Sequence, residues 1–156
     1  MTNFSEKALE LFNQGFNCSQ AVFAAFCDEM DIDLKSALKI GASFGGGMGR
    51  LREVCGAVSG MFMAAGMMYG YDNPQDMSAK TEHYKLIQEL ANEFKNINGS
   101  IVCRELLGLG EGPDSPIPEE RTERYYKKRP CAEYVKCAAE IMEQFMTRKK
   151  IEAVSE

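Results

Sequence analysis

A single histidine, no Cys-x-x-Cys pair and no surplus of basic residues are the plainest absences in this 156-residue chain. The histidine, His83, lies in the polar stretch Lys80-Thr81-Glu82-His83 and reads as a surface residue rather than a ligand or base. Without Cys-x-x-Cys, neither a thioredoxin-type active site nor a zinc ribbon is signalled. A net charge of −5 leaves no field to gather nucleic acid or an anionic membrane, and basic clusters such as Lys127-Lys128-Arg129 are short. The N-terminus lacks the basic start and long apolar run of a secretion signal, so the chain is expected in the cytoplasm. No segment alternates with period two, and no low-complexity linker divides the chain.

What remains is helical patterning and six cysteines. The expected fold is all-α: a compact multi-helix bundle, residues 1–150 forming a single helical domain and 151–156 a frayed tail. A first helix spans Ser5 to Gln14 with Gly15 as its stop. A second starts near Cys18, and a third, capped by Asp33, carries Leu38, Ile40 and Ala42 into a glycine-rich loop. Val54 to Tyr71 holds no charged residue, yet its glycines and the four-residue spacing of Gly56, Gly60 and Ala64 describe a buried central helix, not a membrane span. Asn73-Pro74 opens a long amphipathic helix with Met77, Tyr84, Ile87, Ala91 and Phe94 on one face, ending at Asn98-Gly99. Ser100 caps a short helix holding Cys103, Gly108 to Pro118 form a surface loop, and Pro130 begins the last helix.

A chain this long buries enough apolar surface to fold without disulfides, so stability does not account for the cysteines. In a reducing compartment they read as metal ligands, reactive thiols or core residues. Cys18, Cys55, Cys103 and Cys131 each fall in the first turn of a predicted helix. Unpaired N–H groups and the helix dipole favour a thiolate there, the form that attacks disulfides and binds metal. Arg50 and Arg52 add positive charge near Cys55, and Glu53 opposes them. Cys27 and Cys137 lie within helix bodies and read as packing. The run Gly45-Gly46-Gly47-Met48-Gly49 lacks the ending of a P-loop and no strand precedes it. Gly45, Gly46, Gly47 and Gly56 are instead the positions where backbone can approach the thiols, or a group held by them, closely.

The segments Asn17-Cys18-Ser19-Gln20-Ala21-Val22, Phe44-Gly45-Gly46-Gly47-Met48-Gly49, Val54-Cys55-Gly56-Ala57-Val58-Ser59-Gly60, Cys103-Arg104-Glu105-Leu106-Leu107-Gly108 and Cys131-Ala132-Glu133-Tyr134-Val135 resemble, in order, the redox-active C_GCAxxG_C_C family. The central motif here reads Cys-Gly-Ala where the family's name has Gly-Cys-Ala. The resemblance implies an all-helical protein whose functional cysteines are Cys18, Cys55, Cys103 and Cys131. A related domain is similar to part of split-Soret cytochromes, where an iron–sulfur centre accompanies haem; this chain has no Cys-x-x-Cys-His, so covalent haem is not expected.

Three functions follow. Four thiolates could ligate an iron–sulfur cluster or another soft metal, making an electron-transfer protein or oxidoreductase. Alternatively, one thiol attacks a substrate disulfide and a neighbour resolves the product. In the third reading, the chain is a helical interaction module with packed cysteines. A redox partner goes unidentified by the sequence, which also allows a homo-oligomer.

Overall fold

A computed structural model describes residues 2–156. Its architecture is all-α, with the core shared by α1 (Phe4–Asn13), α2 (Cys18–Ala25), α5 (Gly56–Tyr69), α6 (Met77–Asn98) and α9 (Cys131–Ser155). The smaller elements are α3 (Leu34–Gly41), the single turn α4 (Gly45–Met48), α7 (Cys103–Leu106) and α8 (Glu123–Lys128). Among the described residues no helix is long and apolar enough to cross a membrane.

α2 is the hub, lying against α1, α3, α5 and α9. Its composition explains this position: Ala21, Val22, Phe23, Ala24 and Ala25 are all at most 1% exposed, so the helix is apolar around its whole circumference. α5 meets it along the expected small-residue face. A Cβ on Gly60 would sit 2.8 Å from the Ser19 carbonyl oxygen and 3.1 Å from Val22 Cβ. Ala64, one turn further along, is fully buried.

Helix ends follow local chemistry. Asn17 and Gln20 form a reciprocal capping box: Gln20 N–H donates to Asn17 Oδ1 at 2.9 Å, and Asn17 N–H to Gln20 Oε1 at 3.0 Å. Both side chains also donate to α3 and its end, Asn17 Nδ2 to the Ala42 carbonyl and Gln20 Nε2 to that of Leu38. Thus Asn17-x-x-Gln20 fixes the start of α2, and with it Cys18, against the neighbouring helix.

Several boundaries differ from the sequence-based expectation. α1 begins at Phe4, one residue before the expected Ser5, because Asn3 caps it. The long helix begins at Met77, where the Asp76 carboxylate accepts from Ala79 N–H; Asn73 and Pro74 lie outside it. Its buried face is Leu86, Leu90 and Phe94, a strict four-residue stripe, while Met77 and Tyr84 face solvent. α3 turns Ala37 and Gly41 inward and leaves Ile40 exposed, since only a glycine allows the close approach to the Gln20 backbone. Val102 holds the N-cap of α7, and Ser100 Oγ accepts from Val102 N–H instead. Thr122 caps α8, an element that the hydrophobic pattern of the sequence does not mark. The last helix runs to Ser155: Ile151 to Ser155 contain no helix breaker, and Lys149 pairs with Glu152 one turn on.

Gly60→Val is expected to cost roughly 1–3 kcal/mol, the range for overpacking a filled core. Thermal or denaturant unfolding measures it. A loss below about 0.5 kcal/mol, the scale of an innocuous surface change, would mean that the α2–α5 contact is looser than described.

Candidate functional site: four thiols on one cavity

Three separate devices deliver the cysteines. The capping box sets Cys18 as the first residue of α2. Cys55 is the N-cap of α5 and Cys103 the first residue of α7, and the two are held together by an antiparallel bridge between Val54 and Val102. Around that bridge Cys55 N–H donates to the Ile101 carbonyl at 2.7 Å, and Cys103 N–H to that of Glu53 at 2.6 Å. Cys131 opens α9 directly after Pro130.

Between α3 and α5 the chain winds through a left-handed turn. Gly46, Gly47, Met48, Gly49 and Arg50 all have φ between +60° and +69°, and Arg52 has +63°. For non-glycine residues this backbone costs about 1–2 kcal/mol each, and strain of this kind clusters at functional sites. Gly47 could carry no side chain: a Cβ there would fall 2.7 Å from Cys103 Cβ and 2.8 Å from the Arg52 Cα. A Cβ on Gly56 would overlap the Cys18 sulfur. Two glycines of the motif thus make space for two of the thiols.

Cys18, Cys55, Cys103 and Cys131 all line one cavity of about 70 Å³, along with Gly46, Gly56 and Arg52. A single water needs roughly 10–15 Å³, so this is real space rather than a packing defect. Phe12, Leu106, Tyr125 and Tyr134 supply apolar walls. Of the candidate glycines, Gly46 and Gly56 reach the cavity; Gly47 backs Cys103, and Gly45 lies under the Asn17 side chain. Cys27 and Cys137 do not line it: the Cys27 thiol lies near Asp28, and Cys137 accepts from Asn98 Nδ2 at 3.4 Å.

Expectation and structure part over thiol acidity. Helix starts favour the thiolate, but at Cys18, Cys55 and Cys131 burial outweighs them. Desolvation pushes the Cys18 thiol up, with a smaller contribution from Cys103, against backbone N–H groups with that of Gly46 foremost. Cys55 is raised well above the ordinary thiol range by burial and then by Cys18, although the Val58 and Ala57 N–H groups oppose. Cys131 is pushed up to about 12 by burial and by Cys18 and Cys103, against Arg129 and Arg121. These mutual effects have a second meaning: the thiols lie close enough to feel one another's charge.

Arginines supply the local counter-charge. Arg52, only 6% exposed, places Nη1 3.7 Å from Cys103 Sγ and Nη2 2.9 Å from Asp114. Burial pulls its pKa down, but those two partners outweigh it and the value is raised. Arg121 stacks its guanidinium 4.2 Å from the Phe12 ring centre and donates to the Phe12 and Phe16 carbonyls. Nothing in the sequence ties Arg121, or Arg129 of the short Lys127-Lys128-Arg129 cluster, to the first three cysteines, which lie well before them in the chain.

Among the described residues, no three His, Cys, Asp or Glu side chains are close enough together to hold one metal ion. A single tetrahedral ion with sulfur at ~2.3 Å therefore does not fit.

The model of the family described as "Putative redox-active protein (C_GCAxxG_C_C)" matches residues 16–145. The chain belongs to the C_GCAxxG_C_C family. A protein of Archaeoglobus fulgidus described as "Uncharacterized protein" is 27% identical over 142 residues, covering 86% of this chain and 87% of that one. No solved structure matches the chain.

The raised thiol pKa values fix a pH dependence. In the metal-free fold the neutral thiol is the favoured form, so unfolding releases protons once pH exceeds the ordinary thiol value of about 8.5. The contribution is fully present below that pH and is lost above it, Cys131 still contributing until pH approaches about 12. Metal-free protein should lose stability steadily above pH ~8.5, measured as denaturation midpoints. A midpoint that rises across this window would show that the thiols are not buried as neutral groups.

Proposed function

We propose that this family member's redox centre is the four-cysteine cavity, and that the thiolates of Cys18, Cys55, Cys103 and Cys131 hold an iron–sulfur cluster. The observation that carries this reading is the placement of all four thiols around one void. Four mutually coupled sulfurs exceed what exchange between two thiols requires. When bound, such a cluster supplies one-electron transfer.

The chain's own residues then have definable tasks. Ligation deprotonates each thiol, a step that burial opposes at Cys18, Cys55 and Cys131 in the metal-free protein, so affinity for the group increases with pH. The N–H groups of Gly46, Ala57 and Val58 oppose the penalty at Cys18 and Cys55, and sulfur-directed N–H groups tune a cluster's potential. Arg52 brings a fixed positive charge to Cys103. Phe12, Leu106 and Tyr134 limit water, which strengthens each of these charge interactions.

One observation favours a second reading. Because Arg52 Nη1 faces Cys103 Sγ, Cys103 is the best-placed thiol for attack on a disulfide, with another of the four as resolving partner. In that case the protein works as a metal-free thiol–disulfide redox protein.

Anaerobic purification followed by iron and sulfide quantification separates the two. The expected result is coloured protein containing both elements, lost in Cys55→Ser and retained in Cys27→Ser. Colourless protein after anaerobic reconstitution, free of both elements and with all six cysteines titratable, would overturn the cluster. Disulfide reduction abolished by Cys103→Ser would then establish the second reading.

A further inference from the structure

A second cavity of about 270 Å³ shares walls with the thiol cavity: Asn17, Gly46, Arg52, Arg121, Tyr125 and Cys131 line both. Its chemistry differs. Arg50, Arg52, Arg121 and Arg129 line it, faced by the Glu119 carboxylate, with Asp114 paired to Arg50 and Arg52 at its edge. Four guanidinium groups against two carboxylates leave an excess of positive charge, on a chain whose net charge is −5. The overall net charge disfavours anions; this groove gathers them.

Most of these arginines are occupied. Arg121 is held by the Phe12 and Phe16 carbonyls, Arg50 donates to the Ser115 carbonyl, and Arg52 joins Asp114 to Cys103. Arg129 is the exception. It is 8% exposed and pairs through Nη2 with Glu119, yet its buried Nε has no hydrogen-bond partner. A buried donor without an acceptor costs about 1–3 kcal/mol, more when charged, and guanidinium forks match oxyanions well. Arg129 also lies two residues before Cys131, at the seam of the two cavities.

We propose that this groove binds a small oxyanion, a phosphate or carboxylate group seated on Arg129 beside Cys131. The oxyanion is either free or the anionic end of an organic molecule whose other end meets the thiols. That second role rests on the redox reading of the cavity; the binding does not. Glu119 occupies one edge of the Arg129 guanidinium and so competes with the incoming anion.

The test uses full-length protein labelled with nitrogen-15, observing the arginine Nε–Hε resonances during titration with inorganic phosphate or succinate at constant ionic strength, against a chloride control. Saturable shifts at Arg129 Nε–Hε and the Cys131 amide are expected. Arg129→Gln should weaken binding by about tenfold or more, the loss of one charge-assisted hydrogen bond. Glu119→Gln, which leaves the arginine in place, should tighten binding several-fold. Phosphate binding alone identifies a free oxyanion; succinate binding as tight or tighter identifies the end of an organic ligand. Shifts no different from chloride, or unchanged affinity in both variants, would overturn the proposal. Such a failure is distinct from failure of the redox reading, because iron and sulfide content is measured independently of any anion.

Discussion

The backbones of α2 and α5 meet with almost nothing between them, and the site is built on that contact. Gly56 and Gly60 remove the side chains that would separate the helices. Their absence lets the N-terminus of α5, with Cys55, lie beside the N-terminus of α2, with Cys18. The apolar circumference of α2 then draws α1 and α9 around the same axis, and α9 brings Cys131. Burial of apolar surface supplies the stabilisation, and the glycines determine where it is spent.

Around that contact the molecule accepts local costs. Met48, Arg50 and Arg52 are held at positive φ, and thiols are buried where they resist ionisation. Both features converge on the same few ångströms. The left-handed turn sets Gly46 on the same cavity as Cys18 and carries Arg52 inward to Cys103 and Asp114. It also ties down the loop after α7, where Asp114 N–H donates to the Arg50 carbonyl at 3.0 Å. A region with poor local backbone energetics is thus fastened from both sides. In the proposed function, the charge that the buried thiols cannot carry alone is supplied when they become ligands.

Much of this organisation is legible in the residues. Small side chains at Gly56, Gly60 and Ala64 announce a close helix contact, and cysteines next to helix-start signals announce where thiols will sit. Other parts leave no such trace. The Val54–Val102 bridge is one residue pair, too short for any period-two pattern, yet it sets Cys55 beside Cys103. Positive φ at Met48, Arg50 and Arg52 is imposed by surroundings rather than by residue type. Thiol acidity is not legible in the sequence, because helix starts act locally, whereas desolvation depends on the whole fold. α8 could have been found: Thr122 followed by Glu123 is an ordinary capping signal, hidden among the charges that surround it. The arginines of the groove are separated by about half the chain, and only the fold brings them to the same sulfurs.

The central claim is that four thiols, and not six, share one space. Treatment of the metal-free protein with a short bifunctional thiol reagent, followed by peptide mapping, tests it most directly. The account predicts bridges confined to pairs drawn from Cys18, Cys55, Cys103 and Cys131, with Cys27 and Cys137 unbridged. Bridges dominated by Cys27 or Cys137, or single attachment at every cysteine with no bridging, would contradict it.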